Sequence, residues 1–265
     1  MRQIHTTPTA TVVVYRLLIG MATLGLLARG LTWPKARREQ LLLIASGLLY
    51  GVTALLYIGS YRYTSIAKAG FLHYLAPLFV MLLAPLVLRE KPQPLVLAAA
   101  GLAVPGVLLL LRLDLQHGLS LTSWCGDALA AASAVTYAGY TLLGRRLRSL
   151  QAVQTAFWVH GFALLPALGM ALPTGAAAFR VAAGDWPGVI GLGVIASALA
   201  FALFYRGLRF IPAAQATLIM LLSPVTNALL GYLLADEGLT PGQVVGAGLI
   251  LTAAALAAQA SSHTA

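Results

Sequence analysis

Of the 265 residues, 60% are hydrophobic and 9% charged, with a mean hydropathy of +0.86, whereas a soluble domain carries about 25% charged residues. The chain therefore reads as a membrane protein, and at about 20 apolar residues per spanning helix it has room for roughly nine or ten spans. Its formal net charge of +10 comes from small Lys and Arg clusters between apolar runs, the pattern of cytoplasmic loops, which argues against a nucleic-acid partner.

Apolar runs of at least about 17 residues, bounded by charged, proline or glycine-rich punctuation, predict nine helices. The first, near 8–30, holds Arg16; this charge splits the run and no A-x-A site follows promptly, so it reads as a retained helix and not a signal peptide. The second covers 40–60, and the third, 66–88, holds Gly70, Phe71, His73, Tyr74 and Pro77. The fourth covers 93–112; the fifth, 124–144, begins at Trp124 with Cys125 next and carries Tyr137 and Tyr140; the sixth, 152–173, carries Trp158 and His160. The last three cover 186–207, 212–234 and 241–259, with Thr217, Leu221 and Pro224 in the eighth. In lipid every backbone N–H and C=O must be paired, so such runs have to be helices. Interior prolines at 77, 85, 105, 166 and 224 read as kinks. Cys125, the single cysteine, leaves no internal disulfide or thiolate cluster and reads as a small packing residue.

Lys and Arg set the orientation. Loops after spans one, three, five and seven hold eleven of them, against five on the opposite side. The expectation is an N-terminus outside and a C-terminus in the cytoplasm.

Shifting the sequence by 147 residues lays the third span on the eighth without a gap: Ala67, Leu75, Pro77, Leu82, Leu86, Glu90, Pro94 and Gly101 fall on Ala214, Leu222, Pro224, Leu229, Leu233, Glu237, Pro241 and Gly248. The copies lie five spans apart, an odd number, so one is inverted across the bilayer, as in transporters with inverted repeats. Glu90 and Glu237 become structural markers, each closing its span before a proline-containing turn and placed to bond free N–H groups of the next helix. The repeat divides the chain into residues 1–112 and 123–260, the first copy lacking a counterpart of 124–144.

These residues resemble the drug/metabolite transporter superfamily, specifically EamA-type exporters. The resemblance rests on Ala67, Gly70 and Pro77 leading to Leu88-Arg89-Glu90-Lys91, on Ala213-Ala214 and Thr217 leading to Ser223-Pro224 and Asp236-Glu237-Gly238, and on Gly126-Asp127 opening a span that ends Gly144-Arg145-Arg146. It covers essentially the whole chain. It implies an all-α, five-plus-five inverted bundle in the inner membrane of a prokaryote, exporting small metabolites or drugs by alternating access. The departure is at the start, where Met1 to Thr7 leads directly into what looks like the family's second helix. Three explanations stay open: a start placed too late, a working nine-helix protein, or a degenerate, inactive one serving as a scaffold.

Substrate sites in such transporters lie near the midplane at the repeat interface. There the first copy offers Ala67, Gly70, Phe71, Tyr74 and Pro77 by helical spacing, the second Ala214, Thr217, Leu218, Leu221 and Pro224. The small residues either leave room for substrate or let backbones pack closely. Intramembrane ionisable groups are costly and functional by default. Arg16 either snorkels as an anchor or recognises an anion, and His73 and His160 are either bonded core residues or proton carriers. Tyr137, Tyr140 and Trp158 either pack or stack on substrate. Gly242-x-x-x-Gly246 is a helix-contact motif that serves internal packing or a homodimer.

Catalytic signatures are missing: no H-E-x-x-H, no G-x-S-x-G and no phosphate-binding glycine loop occurs, so no metal or cofactor is expected, and an intramembrane enzyme, with Ser223 served by a base distant in sequence such as His73, is a minor alternative. All seven acids fall at span ends or in loops. A cation antiporter driven by a buried carboxylate is disfavoured for that reason, and amino-acid-like or neutral metabolites fit better. The expected partners are a small-molecule substrate and the lipid bilayer.

Overall fold

A computed structural model describes residues 7–28, 30–112, 121–235 and 238–262. Its α-helices are α1 (Thr9–Leu27), α2 (Arg37–Ser60), α3 (Ile66–His73), α4 (Ala76–Val87), α5 (Pro94–Leu110), α6 (Leu121–Arg146), α7 (Ala152–Ala171), α8 (Trp186–Gly191), α9 (Ala200–Phe210), α10 (Ala213–Met220), α11 (Leu222–Ala235) and α12 (Pro241–Ser262), and no strand occurs among the described residues. Among the described residues seven stretches are long and apolar enough to cross a membrane; α5 is apolar but has 17 residues, and α6 has 26 but is less apolar. These are the nine predicted spans, with α3 and α4 forming the third, α8 and α9 within the seventh, and α10 and α11 forming the eighth. Leucines such as Leu26 and Leu86, 89% and 78% exposed, face outward as lipid contact requires.

The third and eighth spans are each broken once. Pro77 has no N–H to give the His73 carbonyl, so the ladder tightens: Leu75 N–H donates to Leu72 O at 3.3 Å and Leu78 N–H to Leu75 O at 2.9 Å. In the eighth span Leu221 N–H donates to Leu218 O at 3.1 Å, three residues before Pro224. Tyr74 and Leu75, shifted by 147, become Leu221 and Leu222, so the two breaks share one register. Pro85, Pro105 and Pro166, by contrast, lie inside helices that continue through them.

Two features were not anticipated. A 3₁₀ stretch, Leu172–Phe179, follows α7, with Gly175 at φ +69°. The seventh span contains a π-helical stretch, Leu192–Leu199, between α8 and α9. Cys125 departs from expectation too, being exposed and not packed.

The chain forms two compact units, residues 1–58 with 139–210 and residues 59–138 with 211–265. In the first, α1 packs on α7 and on the π stretch, and glycines set α2 against α7: a Cβ at Gly47 would collide with the Phe162 Cβ, and one at Gly51 would lie 2.7 Å from the Ala163 carbonyl. In the second, α5 packs on α12 and α4 on α10. The α1–α7, α5–α12 and α4–α10 contacts each join a span to its repeat mate, so the duplication seen in sequence is expressed as packing between equivalent spans. The fold is an all-α inverted-repeat bundle.

Candidate functional site

In the 59–138/211–265 unit the two broken helices meet. Tyr74, Leu75 and Pro77 of one and Leu218 and Leu221 of the other enclose, with Val107 of α5, an apolar crevice with room for about one water molecule. Tyr74, Pro77 and Leu221 are thus brought together. Gly70 and Pro224 are buried and Phe71 half-buried outside that lining. Thr217 is 1% exposed and its hydroxyl turns back on its own helix, donating to the Ala213 and Ala214 carbonyls at 3.1 and 2.9 Å.

His73 bonds Ser133 of α6, Nδ1 to Oγ, at 2.9 Å. The Ser133 hydroxyl gives its proton to the Ala130 carbonyl at 2.6 Å, so its oxygen can only accept here and the His73 proton sits on Nδ1. Tyr137 stands edge-on to His73 with centroids 5.5 Å apart. Two candidates from separate spans therefore meet ring to ring, and His73 also bonds a serine that pattern reading passes over.

Polar contacts fix both ends of the third span. Ser65 caps α3, Lys68 Nζ lies 2.5 Å from Asp127 Oδ2, and the Thr64 hydroxyl donates to Asp127 Oδ1 at 2.9 Å. Gly126 allows this approach, since a Cβ there would lie 2.8 Å from the Thr64 nitrogen. At the other end Glu90 accepts from the Ala213 N–H at 3.1 Å. The bond runs to α10 and not, as expected, to the helix that follows in sequence. Its repeat mate Glu237 lies outside the described residues, as does Asp236.

In the 1–58/139–210 unit, Arg16 Nη2 donates to the Tyr50 hydroxyl at 2.6 Å. Arg16 is the eighth of 19 residues in α1, and Tyr50 lies well inside the 24-residue α2, so the guanidinium stays within the span and does not reach for its end. Tyr50 also contacts the rings of Tyr140, His160 and Phe201, at 5.4, 5.7 and 4.7 Å. His160 is fully buried and its Nδ1 donates to the Ala156 carbonyl at 2.8 Å. Trp158 parts from it: its indole N–H donates to the Thr32 carbonyl at 3.2 Å and its ring meets Trp33 edge-on at 4.8 Å. Tyr50 and Phe201 are absent from the sequence-based candidates. The i, i+3, i+4 spacing of Phe201, Phe204 and Tyr205, an aromatic helix face, was the available signal.

The model of the EamA-like transporter family matches residues 1–112 and 124–259. An Archaeoglobus fulgidus protein named as an uncharacterised transporter is 29% identical over 209 residues, 78% of this chain and 72% of its own length. The Bacillus subtilis uncharacterised transporter YxxF is 26% identical over 75% of this chain, and the Fusobacterium nucleatum riboflavin transporter ImpX 28% identical over 68%. The chain spans 62% of each of those two relatives, less than two thirds of their length. A solved structure titled only as a crystal structure of a protein aligns over 97% of this chain and 90% of its own, with a TM-score of 0.82 at 22% identity, and so shares the fold. With a family model matched along nearly its whole length and relatives named as transporters, the chain is a multi-pass membrane transporter belonging to the EamA-like family.

Proposed function

We propose that this transporter exports small metabolites, amino-acid-like or neutral, across a prokaryotic inner membrane by alternating access. Residues 1–112 and 123–260 act as its two inverted halves, with the N-terminus outside and the C-terminus in the cytoplasm. One observation carries the reading: the third and eighth spans break in one register and their break residues line a common crevice. Alternating access needs hinges at matched places in the two halves, and a pair of proline-linked breaks supplies them. The narrowness of the crevice suits an occluded conformation. Its lining, Tyr74 among leucine, valine, alanine and proline side chains with no charged group, suits a small, uncharged or zwitterionic solute better than a cation.

The test is uptake into everted inner-membrane vesicles, the equivalent of export, with labelled amino acids, neutral metabolites and riboflavin, the last because a relative bears that name. Vesicles carrying the protein should accumulate at least one compound faster than control vesicles, and a Pro77→Ala/Pro224→Ala variant should lose that excess. Equal uptake for the whole panel would overturn export and favour a transport-inactive scaffold.

A further inference from the structure

We propose that Arg16 is the carboxylate-binding residue of a ligand site in the 1–58/139–210 unit, and that the ligand carries an N–H or O–H donor beside its carboxylate, as α-amino and α-hydroxy acids do. This deepens the export reading, on which its biological role rests.

A guanidinium inside a spanning helix is expensive and is held by a charge partner, backbone carbonyls or a functional ligand. No carboxylate among the described residues pairs with Arg16. Its Nη2 donates to a neutral phenol, and its Nε is buried with no hydrogen-bond partner. Nε and Nη2 share one edge of the planar guanidinium, and that edge takes a carboxylate through two parallel N–H···O bonds. One donor of the pair is therefore unused, and the other is held by a weaker acceptor than an ionised oxygen.

The surroundings define the rest of the ligand. Because His160 Nδ1 donates to the Ala156 carbonyl, Nε2 of the neutral ring is an acceptor; it too is buried and unpartnered. Ser197 Oγ, on the π stretch, is a third such atom. Ser197 and His160 both approach Gly20 of α1, and Arg16 and His160 share Tyr50. Gly20 lies one turn beyond Arg16, and a Cβ on it would sit 2.9 Å from the Ser197 Cβ and 3.4 Å from His160 Cδ2, the ring carbon next to Nε2. Tyr50 touches both Arg16 and His160, and Phe201 closes the group at 4.7 Å from Tyr50 and 4.8 Å from His160. Ser197 lies within the π stretch and Phe201 just after it, and π turns are frequent at functional positions. Buried polar atoms are nearly always paired. A two-donor edge, an acceptor and a hydroxyl together complement a carboxylate with an adjacent donor.

The test is binding to the purified full chain in lipid nanodiscs, by thermal shift and calorimetric titration. The probes are the proteinogenic amino acids, L-lactate and its longer-chain α-hydroxy acid analogues, and the corresponding amides. At least one carboxylate should stabilise the protein while its amide does not. Arg16→Gln should weaken binding roughly tenfold or more, and Arg16→Lys should recover only part of it. His160→Gln should reduce discrimination between the ligand and its analogue without the donor. Should Arg16→Gln fold poorly, Tyr50→Phe decides: freed of the competing hydroxyl, Arg16 should bind the carboxylate at least as tightly as wild type. Absence of carboxylate binding, equal affinity of wild type and Arg16→Gln, or loss of binding in Tyr50→Phe overturns the site. Arg16-dependent binding without vesicle transport would sink the export reading alone, whereas transport indifferent to Arg16→Gln would sink this site alone.

Discussion

The carboxylate of Glu90 accepts a hydrogen bond from the backbone N–H of Ala213 at 3.1 Å, so the end of the third span caps the first residue of the helix that is its repeat mate. Pro212, at the N-cap position of α10, offers no side-chain cap of its own, and an anion at a helix N-terminus also meets the positive end of the helix dipole. Glu90→Ala should destabilise the protein by about 1 kcal/mol, while Glu90→Gln, which keeps an acceptor, should cost less. Melting curves in detergent check the order; equal stability of the two variants and wild type would contradict the capping role.

Lys68 and Asp127 tie α3 to the start of α6, with side chains 25% and 18% exposed. Partial exposure screens the pair, so breaking it should cost no more than about 1 kcal/mol. Asp127→Asn should cost more than Lys68→Met, because it also weakens the acceptor of the Thr64 hydroxyl. A double-mutant cycle should return a favourable coupling of roughly 0.5 kcal/mol; a coupling of zero would mean the proximity has no energetic content.

The two glycines of Gly242-x-x-x-Gly246 should behave differently. A Cβ at Gly246 would lie 2.7 Å from the Gly106 carbonyl oxygen and from the Leu110 nitrogen, whereas at Gly242 it meets nothing within 4 Å. Gly246→Ala should therefore force α5 and α12 apart at a cost of about 1–3 kcal/mol, and Gly242→Ala should be tolerated. Thermal unfolding of the two variants side by side decides, and a destabilised Gly242→Ala would point to a partner at that position.

Pro77→Ala restores an N–H toward the His73 carbonyl, and Pro224→Ala does the same toward the Met220 carbonyl. Each should straighten its span and slow transport several-fold, the pair more than either alone, with folded yield preserved. Vesicle uptake normalised to the amount of protein measures this. A rate unchanged in the double variant would remove the hinges from the mechanism.

The nine spans were legible because hydropathy and length are local quantities: a run of about 20 apolar residues has no alternative to a helix in lipid. The repeat was legible because Pro77, Glu90 and Gly101 recur at one spacing, and it placed Pro77 and Pro224, beside which the two spans break, in one register. The candidate residues were only partly legible. Tyr74, Pro77 and Leu221 meet, as helical spacing indicated, but Thr217 bonds its own helix. The π stretch escaped notice because the choice between i→i−4 and i→i−5 bonding is made by packing against α1, where Gly193 sits against Ile19, and not by composition.

The sequence by itself determined that this is a helical membrane protein, where its spans lie, that they are duplicated, and which family it belongs to, since all of these are carried by composition and by spacing along the chain. Only the tertiary structure decided which helices touch and what each polar side chain holds: Glu90 with Ala213, Lys68 with Asp127, His73 with Ser133, Arg16 with Tyr50. These pairs join residues 34 to 123 positions apart. A polar group buried among apolar helices bonds whichever partner close packing brings within about 3 Å, and that proximity is set by helix crossings no local pattern encodes.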